Sequence, residues 1–159
     1  MEVLFDDEDM LLVREGRLMV LATRRAPSPE STERFVGALR NHAGRPPGGE
    51  RLFLLVALGA KRPRMEAAVR EAIIAAWREL GSRYAVAMWA RQKSFAGSLQ
   101  RSFITALSLL RINKTPTRLV TSYAGALEWF ETLEPIEAGV RDAWRSMLES
   151  VEDFRESSN

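Results

Sequence analysis

Arginine and lysine are concentrated in three short segments of this sequence, RRAPS, GAKRPR and RQKS, and none of the three contains an acidic residue. Both side chains attract anions, and arginine makes two-pronged contacts with carboxylate or phosphate. If the segments meet in space, they predict a site for an anion or for an acidic protein partner. The candidate site residues are Arg24, Arg25, Lys61, Arg62, Arg64, Arg91, Lys93 and Ser94.

Ser94 has two interpretations. It opens a helical pattern directly after Lys93, and serine is a preferred residue at the N-cap of a helix. It is also a candidate phosphoacceptor. The capping role is favoured.

Patterns that support catalysis are missing from the sequence. There is no cysteine, and the single histidine, His42, falls at the end of a predicted helix. We find no arrangement for a Ser-His-Asp triad, no cysteine nucleophile and no GxxxxGK[ST] phosphate loop. The run DDED at 6–9 lacks calcium-loop spacing and is expected to be a solvated turn. The sequence therefore predicts a protein that is not an enzyme and that uses no metal or cofactor.

The net charge of +2 conceals an uneven distribution. Residues 1–16 carry six acids and one base, residues 134–159 carry seven acids and three bases, and the middle carries 19 bases and eight acids. The basic middle favours an acidic protein partner. In the alternative, the acidic ends fold back and neutralise the basic segments within the chain. Nucleic acid is disfavoured, because aromatic residues are few and the acidic ends would repel phosphate.

Length and hydropathy limit the class of protein. A chain of 159 residues is long enough for one well-packed core. No segment reaches the roughly 18 uninterrupted apolar residues that a membrane span needs. The acidic N-terminus differs from a secretory signal, and the lack of cysteine fits a reducing compartment. We therefore expect one cytoplasmic domain without a membrane span.

Strand and helix patterns alternate along the chain, and this alternation positions the basic segments. Short connections between alternating strands and helices imply right-handed crossovers and a mostly parallel sheet with helices on both faces. Because the carboxyl ends of parallel strands lie at one edge, the three basic segments should be neighbours there. The predicted fold is an α/β sandwich of about five strands: a hairpin at 10–14 and 17–23, strands at 51–58, 83–90 and 117–123, and helices at about 28–43, 64–80, 94–111 and 124–133.

An additional helix is predicted near the C-terminus. We divide the chain into an α/β domain at 1–134 and an appended helix with a short disordered end at 135–159. Apolar residues of this helix, among them Val140, Met147 and Phe154, follow a helical stripe. Packing against the chain's own helices that cover the sheet is favoured. Supplying the helix to a second copy, as a homodimer, is the alternative.

Two stretches, AVAMWARQKSFAGSLQRSF and RLVTSYAGALEWF, resemble the STAS-like domains of bacteria. That superfamily includes the anti-sigma-factor antagonists and is structurally similar to CRAL-TRIO lipid-binding domains. The resemblance covers about residues 1–133 and implies a non-enzymatic regulatory or protein-interaction module. In phosphorylation-switched members the central strand is followed by an aspartate, serine and glycine, whereas GAKRPR has no hydroxyl.

A second function class stays open beside the interaction module. A pocket between sheet and helices would suit a small, lipid-like apolar ligand whose anionic head meets Arg62, Arg91 or Lys93. An enclosed apolar cavity would favour this carrier. A filled core would favour the module.

Overall fold

The computed structural model describes residues 1–24, 27–42, 51–58, 66–90 and 115–156. They form a six-stranded mixed sheet with helices on both faces, which confirms the predicted α/β fold. The strands are β1 (Glu2–Asp6), β2 (Met10–Glu15), β3 (Leu18–Thr23), β4 (Leu52–Leu58), β5 (Tyr84–Ala90) and β6 (Thr117–Val120). The α-helices are α1 (Pro29–His42), α2 (Ala67–Leu80), α3 (Tyr123–Leu133) and α4 (Ala138–Glu156), and a 3-10 turn (Gly81–Arg83) follows α2. The predicted helix at 94–111 lies outside the described residues.

The strands lie in the sheet in the order in which they occur along the chain. β1, β2 and β3 are antiparallel, whereas β3, β4, β5 and β6 are parallel. The predicted hairpin is confirmed as β2 and β3. Its turn contains Gly16 at φ +55°, a left-handed conformation that glycine adopts without steric cost.

Strand β1 is an addition to the predicted set. The ring of Phe5 is buried and meets the ring of Phe35 edge-on, with 6.1 Å between the ring centres. The pairing of β1 with β2 shifts register between Val3 and Phe5. Such a bulge interrupts the alternation of apolar and polar residues, so β1 lacks the period-two pattern that reveals a half-buried strand.

Strand β4 shows why the central strands read as uninterrupted apolar runs. Leu52 and Leu54 point into the core formed with α1 and α2. Phe53 and Leu55 point into the opposite core, which includes residues of α3 and α4. All four side chains are fully buried, as expected for a sheet that is covered on both faces.

Helix α4 packs on the chain's own sheet, against β2 and β3. Its buried residues are Trp144, Met147, Val151 and Phe154. They belong to the same core as β3 and β4, so the helix packs within its own chain, as favoured, but mainly on the sheet rather than on the helices that cover it. No helix among the described residues is long and apolar enough to cross a membrane.

Candidate functional site

The parallel strands end at one edge of the sheet, which we call the carboxyl edge: β3 at Thr23, β4 at Leu58, β5 at Ala90 and β6 at Val120. Of the predicted site residues, Arg24 lies in the described part of the chain and directly follows β3. Arg25, Lys61, Arg62, Arg64, Arg91, Lys93 and Ser94 lie outside the described residues.

Arg24 is bound by both terminal regions of the chain. Its backbone N–H donates to the carbonyl oxygen of Asp9 at 2.9 Å. Its Nε donates to the carbonyl oxygen of Phe154, and its guanidinium carbon lies 3.5 Å from the centre of the Phe154 ring. At this position the acidic ends do fold back onto the basic edge.

The turn between β1 and β2 lies at the same edge, because Met10 pairs with Thr23. Ser28 caps α1 by accepting a hydrogen bond from the N–H of Ser31 at 3.0 Å. The N–H of Ser28 donates to the carboxylate of Asp9 at 3.2 Å. Asp9 is only 5% exposed, so the expectation of a solvated turn is wrong for this residue.

Asp7 is the second carboxylate that this turn directs towards α1. One oxygen accepts from the N–H groups of Asp9 and Met10, each at 2.8 Å, and the other accepts from the hydroxyl of Ser31 at 2.6 Å. Burial by itself raises the pKa of the Asp7 carboxyl. The three hydrogen bonds and the charge of Arg34 outweigh burial and hold that pKa below its ordinary value of 3.8.

The N-terminus of α1 is therefore already supplied with anions by the chain itself. A helix N-terminus attracts negative charge through its unpaired N–H groups and its dipole. Asp7 and Asp9 provide that charge. We call the surrounding surface the acidic corner, and it consists of Asp6, Asp7, Glu8, Asp9, Glu30 and Glu33, of which all but Asp7 and Asp9 are exposed.

The far side of the carboxyl edge is built around the start of α3. The hydroxyl oxygen of Ser122 caps this helix by accepting from the N–H of Gly125 at 3.0 Å. The ring of Tyr123 stacks on Trp89, with 4.3 Å between the ring centres, and its hydroxyl donates to the carboxylate of Glu152. The end of α4 is therefore attached here as well as at Arg24.

The opposite, amino edge of the sheet is held by Arg17, which precedes β3. Its two terminal nitrogens donate to the carboxylate of Glu134 at 2.8 Å and to the carbonyl oxygen of Pro135 at 2.6 Å. Its guanidinium lies over the ring of Phe53. An open groove of about 350 Å³ adjoins this contact and is also lined by Ile136 and Glu137.

One buried phenol lies apart from these contacts. Tyr84, at the start of β5, is fully buried beside Trp77, and its hydroxyl has no hydrogen-bond partner among the described residues. Burial raises the pKa of Tyr84 to about 12, so the side chain is neutral at physiological pH. No group of three or more metal-ligating side chains occurs among the described residues.

Sequence reasoning missed the roles of Asp7, Tyr123 and Glu152. The run DDED before an apolar strand carries a usable signal, because an aspartate often accepts hydrogen bonds from N–H groups two or three residues ahead. The pairing of Tyr123 with Glu152 has no such signal, because the two residues lie on different helices and are 29 positions apart in the sequence.

No family model, curated protein or solved structure matches this chain. The functional interpretation therefore depends on the chain's own residues.

Proposed function

We propose that this chain is a non-enzymatic protein-interaction module that docks on a partner protein through the carboxyl edge. The observation that carries the proposal is that polar side chains at this edge are held in place by contacts within the chain. Arg24, Asp7, Asp9 and Glu152 are all bound to other parts of the chain. Such an edge presents a preformed charged surface, which suits recognition of a macromolecule.

The same contacts argue against acid–base chemistry at the described part of the edge. A general base works best when its pKa lies near the working pH. The pKa of Asp7 is instead lowered from a value that is already acidic, and its oxygens are filled by three hydrogen bonds. This carboxylate stabilises the turn between β1 and β2.

The packing of the described core residues favours the interaction module over the carrier. Side chains of the sheet pack with those of α3 and α4 in one described core and with those of α1 and α2 in the other. The aromatic rings of Phe53, Phe130 and Trp144 fill the layer beneath α3 and α4, with 5.0 Å between the ring centres of Phe53 and Phe130. The described groove opens at the amino edge and is lined by Arg17 and Glu134, which suits an apolar ligand poorly.

The proposed module presents charge of both signs at its carboxyl edge. The acidic corner flanks β1 and α1, whereas the sequence places the basic segments after β3, β4 and β5. A regulatory role is part of the proposal, since the hairpin, the parallel strands and the closing helix fit the resemblance to STAS-like domains. A partner with a matching pattern of charge would be selected by attraction and by repulsion of wrong partners.

Native mass spectrometry of the protein isolated from its own cells tests this function. We expect a protein partner in fixed stoichiometry. The charge-reversed variant Lys61→Glu with Arg62→Glu should lose it, because both residues belong to the basic segments. The control Arg78→Glu with Arg145→Glu makes the same change in net charge at exposed positions on α2 and α4 and should keep it. A chain that carries only a small apolar molecule, or nothing, would contradict the interaction module.

A further inference from the structure

The last two turns of α4, residues 149–156, lie on the carboxyl edge, and we call them the strap. The first attachment of the strap is at Arg24, which binds both the carbonyl oxygen and the ring of Phe154. Phe154 is 8% exposed and contributes to the core beneath α4. The strap is therefore held by polar and apolar contacts together.

The second attachment is at Tyr123. Its hydroxyl donates to the carboxylate of Glu152, and its ring is fixed by stacking on Trp89. The indole N–H of Trp89 in turn donates to the carbonyl oxygen of Thr121 at 3.2 Å. Three consecutive contacts thus connect the strap to β5 and to the segment that follows β6.

The two attachments are separated across the sheet. Arg24 follows β3, whereas Tyr123 stacks on a residue of β5, and β4 lies between β3 and β5. The strap is therefore attached on both sides of β4.

The strap carries negative charge, which is also the charge that the basic segments predict for a partner protein. Its sequence, ESVEDFRE, contains four acids and one base. It is also amphipathic, because Val151 is fully buried while Glu149 is exposed. An acidic amphipathic helix is already seated on the edge, and this occupant shows which kind of helix the surface accepts.

We propose that the strap is an intramolecular competitor, and that the carboxyl edge binds an acidic amphipathic helix of a partner protein when the strap leaves. This inference rests on the proposed function and adds its regulation. While the strap is seated, it covers the surface that a partner would bind. That surface is open only in the fraction of molecules in which the strap is detached. The apparent affinity is reduced by that fraction, so a change that loosens the strap and leaves the binding contacts of the edge intact raises it.

A labelled peptide provides a direct test. The probe is a synthetic peptide of residues 145–156 with an N-terminal fluorescein, and its binding to the full-length chain is measured by fluorescence anisotropy. Tyr123→Phe removes the hydrogen bond to Glu152 and keeps the stacking on Trp89. We expect this variant to bind the probe about tenfold more tightly than the parent chain.

Tyr84→Phe is the matched control, because it removes a hydroxyl of the same kind that has no partner in the described part of the chain and lies in the opposite core. It should leave probe affinity unchanged. Arg24→Ala in the Tyr123→Phe background should remove the gain in affinity. A peptide of the same composition in scrambled order should bind weakly to every variant.

Hydrogen exchange measured by mass spectrometry provides a second readout on the same proteins. Backbone amides of residues 149–156 should exchange faster in Tyr123→Phe than in the parent chain, while those of residues 140–147 should not change. Equal probe affinity for parent and Tyr123→Phe, or unchanged exchange in the strap, would overturn the inference.

The outcome is separable from that of the proposed function. If no partner is retained in cells but the probe and exchange results hold, the strap stands and the interaction module fails. If a partner is retained and Tyr123→Phe changes neither probe affinity nor exchange, the module stands and the strap inference fails.

Discussion

Two arginines flank β3, and each holds one end of the α4 region by similar contacts. Arg17 at the amino edge binds Glu134 and Pro135 and lies over the ring of Phe53. Arg24 at the carboxyl edge binds the carbonyl oxygen and ring of Phe154. The two arginines make the same kinds of contact, but their partners belong to different parts of the fold.

The partners of Arg17 are in the connection between α3 and α4, and Phe53 is in the centre of the sheet. Releasing Arg17 would therefore disturb two helices and β4 together. The partner of Arg24 is near the end of a helix, where the last turn separates most readily. We call the contacts of Arg17 at the amino edge the fixed joint, because they connect several elements. We call the contact of Arg24 with Phe154 at the carboxyl edge the releasable joint, because it can separate together with the end of α4.

The largest effect is expected at the fixed joint. Arg17→Ala leaves the half-buried carboxylate of Glu134 without its guanidinium, so the free energy of unfolding should fall by about 2.5 kcal/mol. Urea unfolding followed by circular dichroism measures this change. Arg17→Lys retains the charge and should recover part of the loss. A loss as small as that of an exposed ion pair would contradict the fixed joint.

Gly16→Ala tests the amino edge through the backbone. Gly16 has φ +55°, and an added Cβ would lie 3.0 Å from a methyl carbon of Val140 on α4. Strain and crowding together should lower the free energy of unfolding by about 1.5 kcal/mol. Gly139→Ala is the control, since its Cβ would meet nothing within 4 Å and alanine favours the helix. Equal effects at the two glycines would disprove the close approach of α4 to the hairpin.

Arg24→Ala should have a smaller and more local effect. It removes one hydrogen bond and the contact with the Phe154 ring, for a loss of about 1 kcal/mol. Hydrogen exchange should accelerate in residues 149–156 and stay unchanged in residues 134–142. If Arg24→Ala accelerates exchange at both edges equally, the two joints are not distinct.

The smallest expected effect is the contribution of Asp7 to the pH dependence of stability. The pKa of Asp7 is lower in the folded chain than in the unfolded one, so the unfolded chain binds more protons as the pH falls. The stabilisation by Asp7 is present above its ordinary pKa of 3.8 and is lost as the pH falls through its lower, folded value. Asp7 is only partly buried, which keeps this contribution below about 1 kcal/mol.

Asp7→Asn should therefore reduce the dependence of the urea midpoint on pH between neutral pH and pH 3. The loss of stability should be seen at neutral pH and should vanish in acid. An unchanged pH dependence would show that the Asp7 hydrogen bonds do not contribute.

Much of the fold was predictable because its signals are local. The uninterrupted apolar run of β4 marks a strand covered on both faces, and Ser28 with Pro29 marks the start of α1. Strand β1 was missed because its bulge removes the alternation. The stripe on α4 predicts a buried face, and the structure adds that this face lies on β2 and β3.

The candidate site was predictable only in part. Arg24 lies at the carboxyl edge, as the order of strands and helices predicts. Its contact with Phe154 spans 130 residues, so neither spacing nor composition reveals it. The charged groups that decide the character of the edge include Asp7 and Asp9, whose run looks like a solvated turn in the sequence.

The sequence by itself determined the alternation of elements, the parallel centre of the sheet and the edge at which β3 delivers Arg24, because propensity, periodicity and short connections act over a few residues. Only the tertiary structure decided what Arg24 touches. Its partners are brought to it by burial of the apolar faces of β1 and α4, and burial is a property of the whole chain. The sequence determines which charged residues a loop contains. The charge at an edge of the sheet also depends on which distant residues fold beside that loop.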